Sequence, residues 1–380
     1  MNTESGRLSV KIGQTTSRDE QQAVCEFYSQ VCGEHNMDVV IFFCSSLYDL
    51  VKLGTELKRK FTCPLIGCTT SGEISPKGYQ EGGIVGAGLT SSELKVHPRL
   101  ISSLDRFGSS RVREFADGIR KELSFSTKFD TNTMFGFLTI DGLSMFAEQV
   151  ISLLYSGLDG VSIIGGSAGD DLRFAQTMVY WDGQFLPDAA VFSLLETTLP
   201  FYVFKTQHFG PTEKKLVITA ADPSRRIVSE INAEPAAEEF ARILDIPVSG
   251  LNSTIFSQYP LMLKIGDSWY VRSIQKVNED GSLSLFSAID AGLVLTVGQG
   301  ENLVANLENT LGRIHQEVAN PRLIIGCDCI LRKLEIVEKG LAKEVDNLLV
   351  GTSFVGFSTY GEQYDCVHVN QTLTGVAIGE

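Results

Sequence analysis

A heptapeptide bounded by glycine and glutamate occurs twice in this chain of 380 residues, at 67–73 and at 356–362. Each copy ends a unit in which a buried-looking strand, a helix-like stretch and a second strand precede the glycine turn. A weaker third version leads into the glycine-rich segment 165–171. Repeats so far apart are not a solenoid, whose units recur every 20 to 50 residues or so. The sequence predicts a mixed α/β (α+β) fold of two related domains, built from duplicated strand–helix–strand–glycine-turn units.

The best domain boundary is the segment Thr197–Pro200, which predicts domains at 1–198 and 199–380. Before it, Asp182-Gly183 is a typical hairpin turn between two short strands. After it, the second half opens with an aromatic strand. The prediction therefore places one boundary between two halves of similar size.

The composition limits the classes of partner. The chain is 43% hydrophobic and 21% charged, which is ordinary for a globular protein. Its net charge of −14 disfavours nucleic acid and anionic membranes as partners. No apolar run approaches the roughly 18 to 20 residues that span a bilayer, and the N-terminus does not resemble a secretion signal. We expect a cytoplasmic protein.

The polar residues of the glycine turns have two interpretations. Thr and Ser satisfy backbone groups in a tight turn, or they face a ligand at the ends of strands. The carboxylates Asp170, Asp171 and Glu362 either stabilise their turns or act as acid, base or metal ligands. No phosphate-binding loop is present, and no histidine stands in a recognisable catalytic-triad context. We expect no enzymatic activity.

Several motifs in order resemble those of FIST-domain sensors, from about residue 38 to the end. The segments 41–45, 66–73 and 164–171 resemble the N-terminal FIST domain. The segments 326–332, 356–363 and 367–372 resemble the C-terminal FIST domain. The resemblance makes 1–198 FIST N-like and 199–380 FIST C-like. It implies a sensor rather than a catalyst.

The stand-alone branch of this family is similar to nitric-oxide-sensing haem proteins. These regulate a partner sensor histidine kinase or a cyclic-di-GMP enzyme, either a diguanylate cyclase or a phosphodiesterase. The wider family is regarded as sensing small ligands, with amino acids suggested, and need not carry haem. The resemblance thus implies nitric oxide or another small ligand, and a homodimer is compatible with it.

A haem sensor needs one imidazole on the iron and an apolar pocket. His208 follows an aromatic strand, and the two-residue period places Tyr202 and Phe204 on its face and Phe209 on the other. The resemblance makes His208 the first candidate for the iron ligand, and His368 the second. A hydrogen-bonded strand-end histidine is the alternative for His208. The remaining histidines are expected to be polar surface residues: His35, His97 and His315.

Two further sites stay open. Cys327, Cys329, Cys366 and His368 form two pairs with a spacing of two, which would suit tetrahedral zinc if their strands were neighbours; ordinary buried thiols are the default. A haem-free module would instead hold a small polar ligand with donors and acceptors drawn from both halves. These are Thr69, Thr70, Ser358, Thr359, Asn370 and Thr372.

Overall fold

The computed structural model describes residues 8–33 and 36–380, and these form two compact units. Unit 1 consists of Met1–Thr206, Leu307–Val367 and Leu373–Glu380, and unit 2 of Gln207–Asn306 and His368–Thr372. This division differs from the single predicted boundary at 198/199. The reason is that the chain leaves unit 1 after Thr206, forms most of unit 2, and then returns.

Unit 1 is built from three repeats with the same order of elements: strand, helix, strand, helix, strand, hairpin, strand. The first repeat contains β1 (Ser9–Thr15), α1 (Glu20–Val31), β2 (Val39–Ser45), α2 (Leu50–Lys60), β3 (Leu65–Thr70), β4 (Glu73–Ser75), β5 (Gly78–Gln80) and β6 (Ile84–Thr90). The second contains β7 (Leu94–Ser102), α3 (Ser109–Arg120), β8 (Met134–Ile140), α4 (Ala147–Gly157), β9 (Ile163–Ser167), β10 (Val179–Trp181), β11 (Gln184–Leu186) and β12 (Ala189–Thr197).

The third repeat begins with β13 (Phe201–Thr206) and is then interrupted by unit 2. Unit 2 contains β14 (Phe209–Asp222), β15 (Ile227–Ile231), β16 (Glu234–Pro235), α5 (Ala236–Leu244), α6 (Ser253–Gln258), β17 (Leu261–Ile265), β18 (Ser268–Arg272), β19 (Ile274–Val277), β20 (Leu283–Leu285) and β21 (Val294–Gly300). The third repeat then resumes with α7 (Leu303–Glu317), β22 (Pro321–Cys329), α8 (Ile330–Glu338), α9 (Ala342–Leu349), β23 (Phe354–Thr359), β24 (Glu362–Tyr364), β25 (Val367–Val369) and β26 (Leu373–Gly379). Unit 2 is therefore an insertion in the third repeat.

The three sheets of unit 1 have one common topology. Their strand orders are β1-β6-β2-β3-β10-β11, β7-β12-β8-β9-β24-β25 and β13-β26-β22-β23-β4-β5. In each sheet the third and fourth strands are parallel. The hairpin at the end of each sheet comes from another repeat, so the repeats exchange hairpins in a cycle. The prediction of a mixed α/β fold is confirmed, and the weak third copy is a full repeat.

The parallel strands β2 and β8 are buried along their whole length, and β22 is buried over 323–329, as expected when both faces of a sheet are covered. All three repeats contribute to one core. The ring of Phe43 stacks on Phe357 at 4.3 Å and lies 6.4 Å from Phe137, measured between ring centroids. A core shared in this way makes unit 1 a single body rather than a string of separable repeats.

Unit 2 is an antiparallel sheet with the order β18-β17-β21-β14-β15-β20-β19, and β16 pairs with β15. Its core includes Phe240 of α5 and Phe256 of α6, which cover the sheet. Among the described residues, no helix is both long and apolar enough to cross a membrane.

Candidate functional site

The three glycine turns of unit 1 meet at the carboxyl ends of the parallel strands. Three equivalent backbone hydrogen bonds join them, from Gly169 N to Thr69 O (3.0 Å), from Ser71 N to Ser358 O (3.0 Å) and from Tyr360 N to Ser167 O (3.1 Å). Strand ends of this kind are common ligand positions in α/β proteins. The side chains of the turns decide between the structural and the ligand-facing interpretation.

Two of the turns use their polar side chains internally. The hydroxyl of Thr70 donates to Glu73 (2.6 Å), and Thr359 donates to Glu362 in the same way. Both carboxylates are buried, and Glu73 also accepts from Gly83 N at 3.1 Å. Burial raises the pKa of Glu73 to about 7. These Thr and Glu side chains therefore hold the turns together, which supports the structural interpretation.

The middle turn differs because a longer loop follows it. Asp170 accepts backbone N–H groups from Phe174, Ala175 and Gln176, and so organises this loop. Asp171 occupies the position of the two glutamates and is only half-buried; Ser46 Oγ donates to it at 3.3 Å. Burial raises the pKa of Asp171. Asp170 is thus a turn-stabilising residue, as the simpler interpretation predicts.

His208 lies between β13 and β14, in unit 2, with a side chain that is 1% exposed. Its ring centroid is 4.3 Å from that of Phe209, and a methyl group added at Gly300 would lie 3.9 Å from its Nε2. Phe209 in turn packs with Met262 and Val271 in the core of unit 2. The imidazole is thus buried against the core of unit 2, and haem on His208 would require these core contacts to move.

Tyr202 and Phe204 belong to unit 1, in β13, whereas His208 and Phe209 belong to unit 2. Phe204 is buried over Gly375 of the neighbouring strand, and Tyr202 lies 5.8 Å from the guanidinium of Arg313. The predicted common face of Tyr202, Phe204 and His208 assumed one continuous strand. The strand ends at Thr206, so the period does not extend to His208.

The other histidines that were predicted to lie on the surface differ in their exposure. His97 is 8% exposed, and its Nε2 lies 3.4 Å from Glu196. The prediction for His97 was wrong because residues 124–126 fold over this strand and donate three backbone N–H groups to Glu196. His315 is exposed as expected. His35 lies outside the described residues.

The residues of the zinc alternative are not brought together as ligands. Cys327 and Cys329 are buried, whereas Cys366 is exposed and His368 is buried in unit 2. Burial raises the pKa of the Cys327 thiol, which disfavours the thiolate that zinc requires. Over residues 8–33 and 36–380, no group of three or more His, Cys, Asp or Glu side chains could hold a metal ion.

A buried polar cluster in unit 2 surrounds the segment 368–372. We call it the Asn370 cluster, and it comprises Arg272, Ser273, His368, Asn370 and Gln371. Arg272 donates to the carbonyl of His368 at 3.3 Å, and Ser273 donates to the Gln371 amide oxygen at 2.7 Å. These bonds tie the segment 368–372 to the sheet of unit 2.

Two neighbouring amides in this cluster have opposite environments. Gln371 is satisfied, because its oxygen accepts from Ser273 and its nitrogen donates to Ser257 O at 2.9 Å. Asn370 is 1% exposed, and neither its amide oxygen nor its amide nitrogen has a hydrogen-bond partner. An unpaired buried polar group costs about 1–3 kcal/mol, so this arrangement calls for an explanation.

Sequence reasoning named Asn370 as a candidate polar contact but missed Arg272 and Ser273. One feature of the sequence could have indicated Arg272: it is a cationic residue at the end of a strand, β18, that is otherwise mostly apolar. Such a residue is buried only when its surroundings accept its N–H groups. Of the other residues proposed to contact a small ligand, Thr69, Thr70, Ser358 and Thr359 lie buried in the glycine turns of unit 1. Thr372 is buried beside the cluster, in unit 2.

Fold and site together define a mixed α/β protein in which a three-repeat unit carries an inserted antiparallel unit with a buried polar cluster. The chain belongs to the FIST family: the FIST N domain matches residues 38–234, and the FIST C domain matches residues 236–365. FIST domains are sensory signalling modules associated with signalling partners. The family resemblance seen in the sequence is thereby confirmed.

Two individual proteins are similar to this chain. An uncharacterized protein of Methanocaldococcus jannaschii is 23% identical over 350 residues, covering 82% of this chain and 67% of its own. The crystal structure of cyanuric acid hydrolase from A. caulinodans has a TM-score of 0.34 at 8% identity, covering 98% of this chain and 100% of its own. A likeness at that TM-score carries no argument about this protein.

Proposed function

We propose that this FIST protein is a haem-free sensor whose ligand is a small, amino-acid-like molecule bound at the Asn370 cluster. The observation that carries the proposal is the Asn370 amide, buried with both of its polar atoms unpaired. A side chain of this kind destabilises the ligand-free protein, and a ligand that pairs it recovers the cost. Both polar atoms of this one side chain need a partner, and a bound ligand would supply one to each.

The chemistry of the cluster favours a zwitterion. A primary amide offers two N–H donors and one acceptor oxygen. A ligand carboxylate accepts from the Asn370 amide nitrogen and is stabilised by the charge of buried Arg272. A ligand ammonium group donates to the Asn370 oxygen. The two ends of an α-amino acid match this pair of requirements.

Binding requires a local opening, because the amide of Asn370 has no exposed surface. The segment 368–372 is suited to open. Gln371 has a left-handed backbone with φ of 52°, which is unfavourable for a residue other than glycine. Strain there and the unpaired amide both raise the energy of the closed state. A ligand that binds only the open state shifts the equilibrium towards it, which is what a sensor needs.

The signal then passes to a partner in the cytoplasm. A sensor histidine kinase, a diguanylate cyclase or a phosphodiesterase would be regulated through surfaces that differ between the open and closed states. A ligand that bound the open and closed states equally well would not shift this equilibrium, and the partner would be unaffected.

Thermal denaturation in the presence of each common amino acid tests the proposal. A ligand present at about 100 times its Kd stabilises the folded protein by about 2.7 kcal/mol, so the melting temperature should rise for one chemical class of amino acid. The rise should vanish in Asn370→Leu and persist in Asn320→Leu, which makes the same change at an exposed amide. A rise of equal size in both variants would contradict the site.

Haem bound through His208, with His368 as the second candidate, is the competing prediction. It requires Phe209 and its core contacts to move, whereas the amino-acid site needs only a short segment to open. An absorption spectrum of ferrous protein, produced with haem precursor and measured with and without nitric oxide, decides between them. A stoichiometric Soret band that His208→Ala removes and Asn370→Leu retains would replace our proposal with the gas sensor.

A further inference from the structure

The sheet of unit 2 closes on itself next to the Asn370 cluster. Strands β18 and β19 stand at opposite ends of its strand order, yet β18 ends at Arg272 and β19 begins at Ile274. Because only Ser273 separates these two strands, the two ends of the sheet meet there and form a closed barrel. Ser273 is 1% exposed, and its carbonyl accepts a backbone N–H from Phe286. The segment 368–372 is therefore bonded to the barrel at the residue that closes it.

One side chain of the segment ties it to two separate elements of unit 2. The amide oxygen of Gln371 accepts from Ser273 Oγ at 2.7 Å, and its amide nitrogen donates to the carbonyl of Ser257 at 2.9 Å. Ser257 belongs to helix α6, whereas Ser273 joins β18 to β19. The Gln371 side chain is fully buried, so water does not replace a lost bond while the segment stays closed. We call these two hydrogen bonds the Gln371 latch.

The backbone of the same residue opposes the closed arrangement. Gln371 has φ of 52°, in the left-handed region that is unfavourable for a residue with a Cβ atom. A residue persists in such a conformation only where its surroundings hold it. The holding contacts here include both bonds of the Gln371 latch. When these bonds break, the release of backbone strain favours the departure of the segment.

A second attachment lies three residues earlier in the chain. The guanidinium of Arg272 donates to the carbonyl of His368 at 3.3 Å, which is beyond the usual length of an N–H···O bond. Both bonds of the Gln371 latch are shorter. The latch also adjoins the unpaired amide of Asn370 directly in the chain. Of these two attachments, the latch is therefore the better placed to control exposure of that amide.

We propose that the Gln371 latch controls access to the Asn370 cluster: its two hydrogen bonds keep the segment 368–372 closed, and their rupture opens the cluster to ligand. This inference rests on the function proposed above, since it assigns the regulation of the same site. Gln371 is a positioning residue and does not contact the ligand. Because only the open state binds, the apparent Kd equals the intrinsic Kd divided by the open fraction. A weaker latch should therefore tighten binding, although it destabilises the ligand-free protein.

Hydrogen exchange measured by mass spectrometry tests the latch without any ligand. Gln371→Ala removes both side-chain bonds and retains the backbone strain, so the peptide covering 368–372 should exchange at least about tenfold faster than in the wild type. Ser273→Ala removes one of the two bonds without changing the segment, and should accelerate exchange of the same peptide by about three- to tenfold. This second variant keeps the test decisive where Gln371→Ala does not fold.

Ser282→Ala is the matched control. Ser282 is another buried serine of unit 2, and its hydroxyl donates to Asp280 in the turn between β19 and β20. This variant should leave the exchange of 368–372 unchanged. Equal acceleration in Ser273→Ala and Ser282→Ala would overturn the proposal, because it would reflect a general loosening of unit 2. Exchange at the wild-type rate in Gln371→Ala would overturn it as well.

Calorimetric titration with glycine distinguishes a failure of the latch from a failure of the proposed function. Glycine carries only the ammonium and carboxylate groups that the Asn370 cluster is proposed to bind. Gln371→Ala should bind glycine at least about tenfold more tightly than the wild type, and Ser282→Ala should bind it equally. Faster exchange in Gln371→Ala without glycine binding in either variant or the wild type would support the latch and refute the ligand. Equal or weaker glycine binding in Gln371→Ala would refute the latch and retain the site.

Discussion

The Tyr79 network of unit 1 and the Asn370 cluster of unit 2 are both buried and polar, but only the first is closed. In the Tyr79 network, Asp328 accepts from Tyr79 and from Arg332 Nε at 2.7 Å, and both members of the ion pair are 1% exposed. In the cluster, the Asn370 amide has no partner. A network in which every polar group is paired stabilises one structure. A network with an unpaired group is destabilised, and a ligand that pairs this group recovers the lost free energy. The difference separates a part that holds the fold from a part that can respond.

The largest expected effect comes from breaking the closed network. Arg332→Met leaves the Asp328 carboxylate buried without its cation, and removal of one partner from a buried pair costs about 3–5 kcal/mol. Urea denaturation should show a loss of this size in the free energy of unfolding. Arg322→Met is the matched control, because Arg322 is 43% exposed and lies 3.7 Å from Glu380. A loss below about 1 kcal/mol for Arg332→Met would show that the Tyr79 network does not stabilise unit 1.

A second test concerns Glu73. Burial raises the pKa of its carboxyl group from 4.5 to about 7. Because the folded protein holds this proton more tightly than the unfolded chain, the contribution to stability falls as pH rises from about 4.5 to 7. One pKa unit corresponds to about 1.4 kcal/mol, so the total loss is on the order of 3 kcal/mol. Glu73→Gln removes this dependence.

Denaturation of wild type and Glu73→Gln at a series of pH values measures the effect. The free energy of unfolding of the variant should rise relative to that of the wild type from about pH 4.5 to pH 7, and the difference should level off above pH 7. Parallel curves for the two proteins would mean that folding does not shift the pKa of Glu73.

The third test addresses the open cluster without any ligand. Asn370→Leu replaces an unpaired amide by an apolar group of similar size, and should raise the free energy of unfolding by about 1–2 kcal/mol. Gln371→Leu, at the next residue, loses two hydrogen bonds and should lower it by a similar amount. The two neighbours should therefore shift the denaturation midpoint in opposite directions. A loss of stability in both would contradict the contrast between closed and open networks.

The smallest effect is expected at Cys366. This residue is exposed, so Cys366→Ser should change stability by less than about 0.5 kcal/mol. Metal analysis of protein purified without chelator should give the same zinc content for both forms. One equivalent of zinc that is lost in Cys366→Ser, together with a lower melting temperature, would restore the zinc alternative.

Local features of the fold could be predicted from the sequence, and long-range ones could not. The hairpin turn at Asp182-Gly183 was predicted from its residues, and both have the positive φ that such a turn demands, 46° and 94°. The repeated strand–helix–strand units were likewise visible, because they contain apolar runs such as Val39–Ser45, which is buried along its length, and 323–329 in β22, which is also buried. The pairing of β4 with β23 could not be predicted, because it joins segments separated by hundreds of residues and β4 has only three residues.

The candidate site was predicted only in part, for a related reason. The segment 367–372 stood out by its resemblance to the family, and Asn370 was named within it. What distinguishes Asn370 from Gln371 is whether Ser273 and Ser257 are in reach, and they are about a hundred residues away in the chain. His208 attracted attention because it follows an aromatic strand, but the chain leaves that strand at Thr206. Sequence shows which residues could act, and packing decides which hydrogen bonds are left open.

Native mass spectrometry of the full chain, purified from cells supplied with haem precursor, tests the central claim most directly. Our account predicts a small polar adduct on the wild-type protein that disappears in Asn370→Leu and remains in His208→Ala. A haem-sized adduct that shows the reverse pattern, lost in His208→Ala and retained in Asn370→Leu, would contradict it.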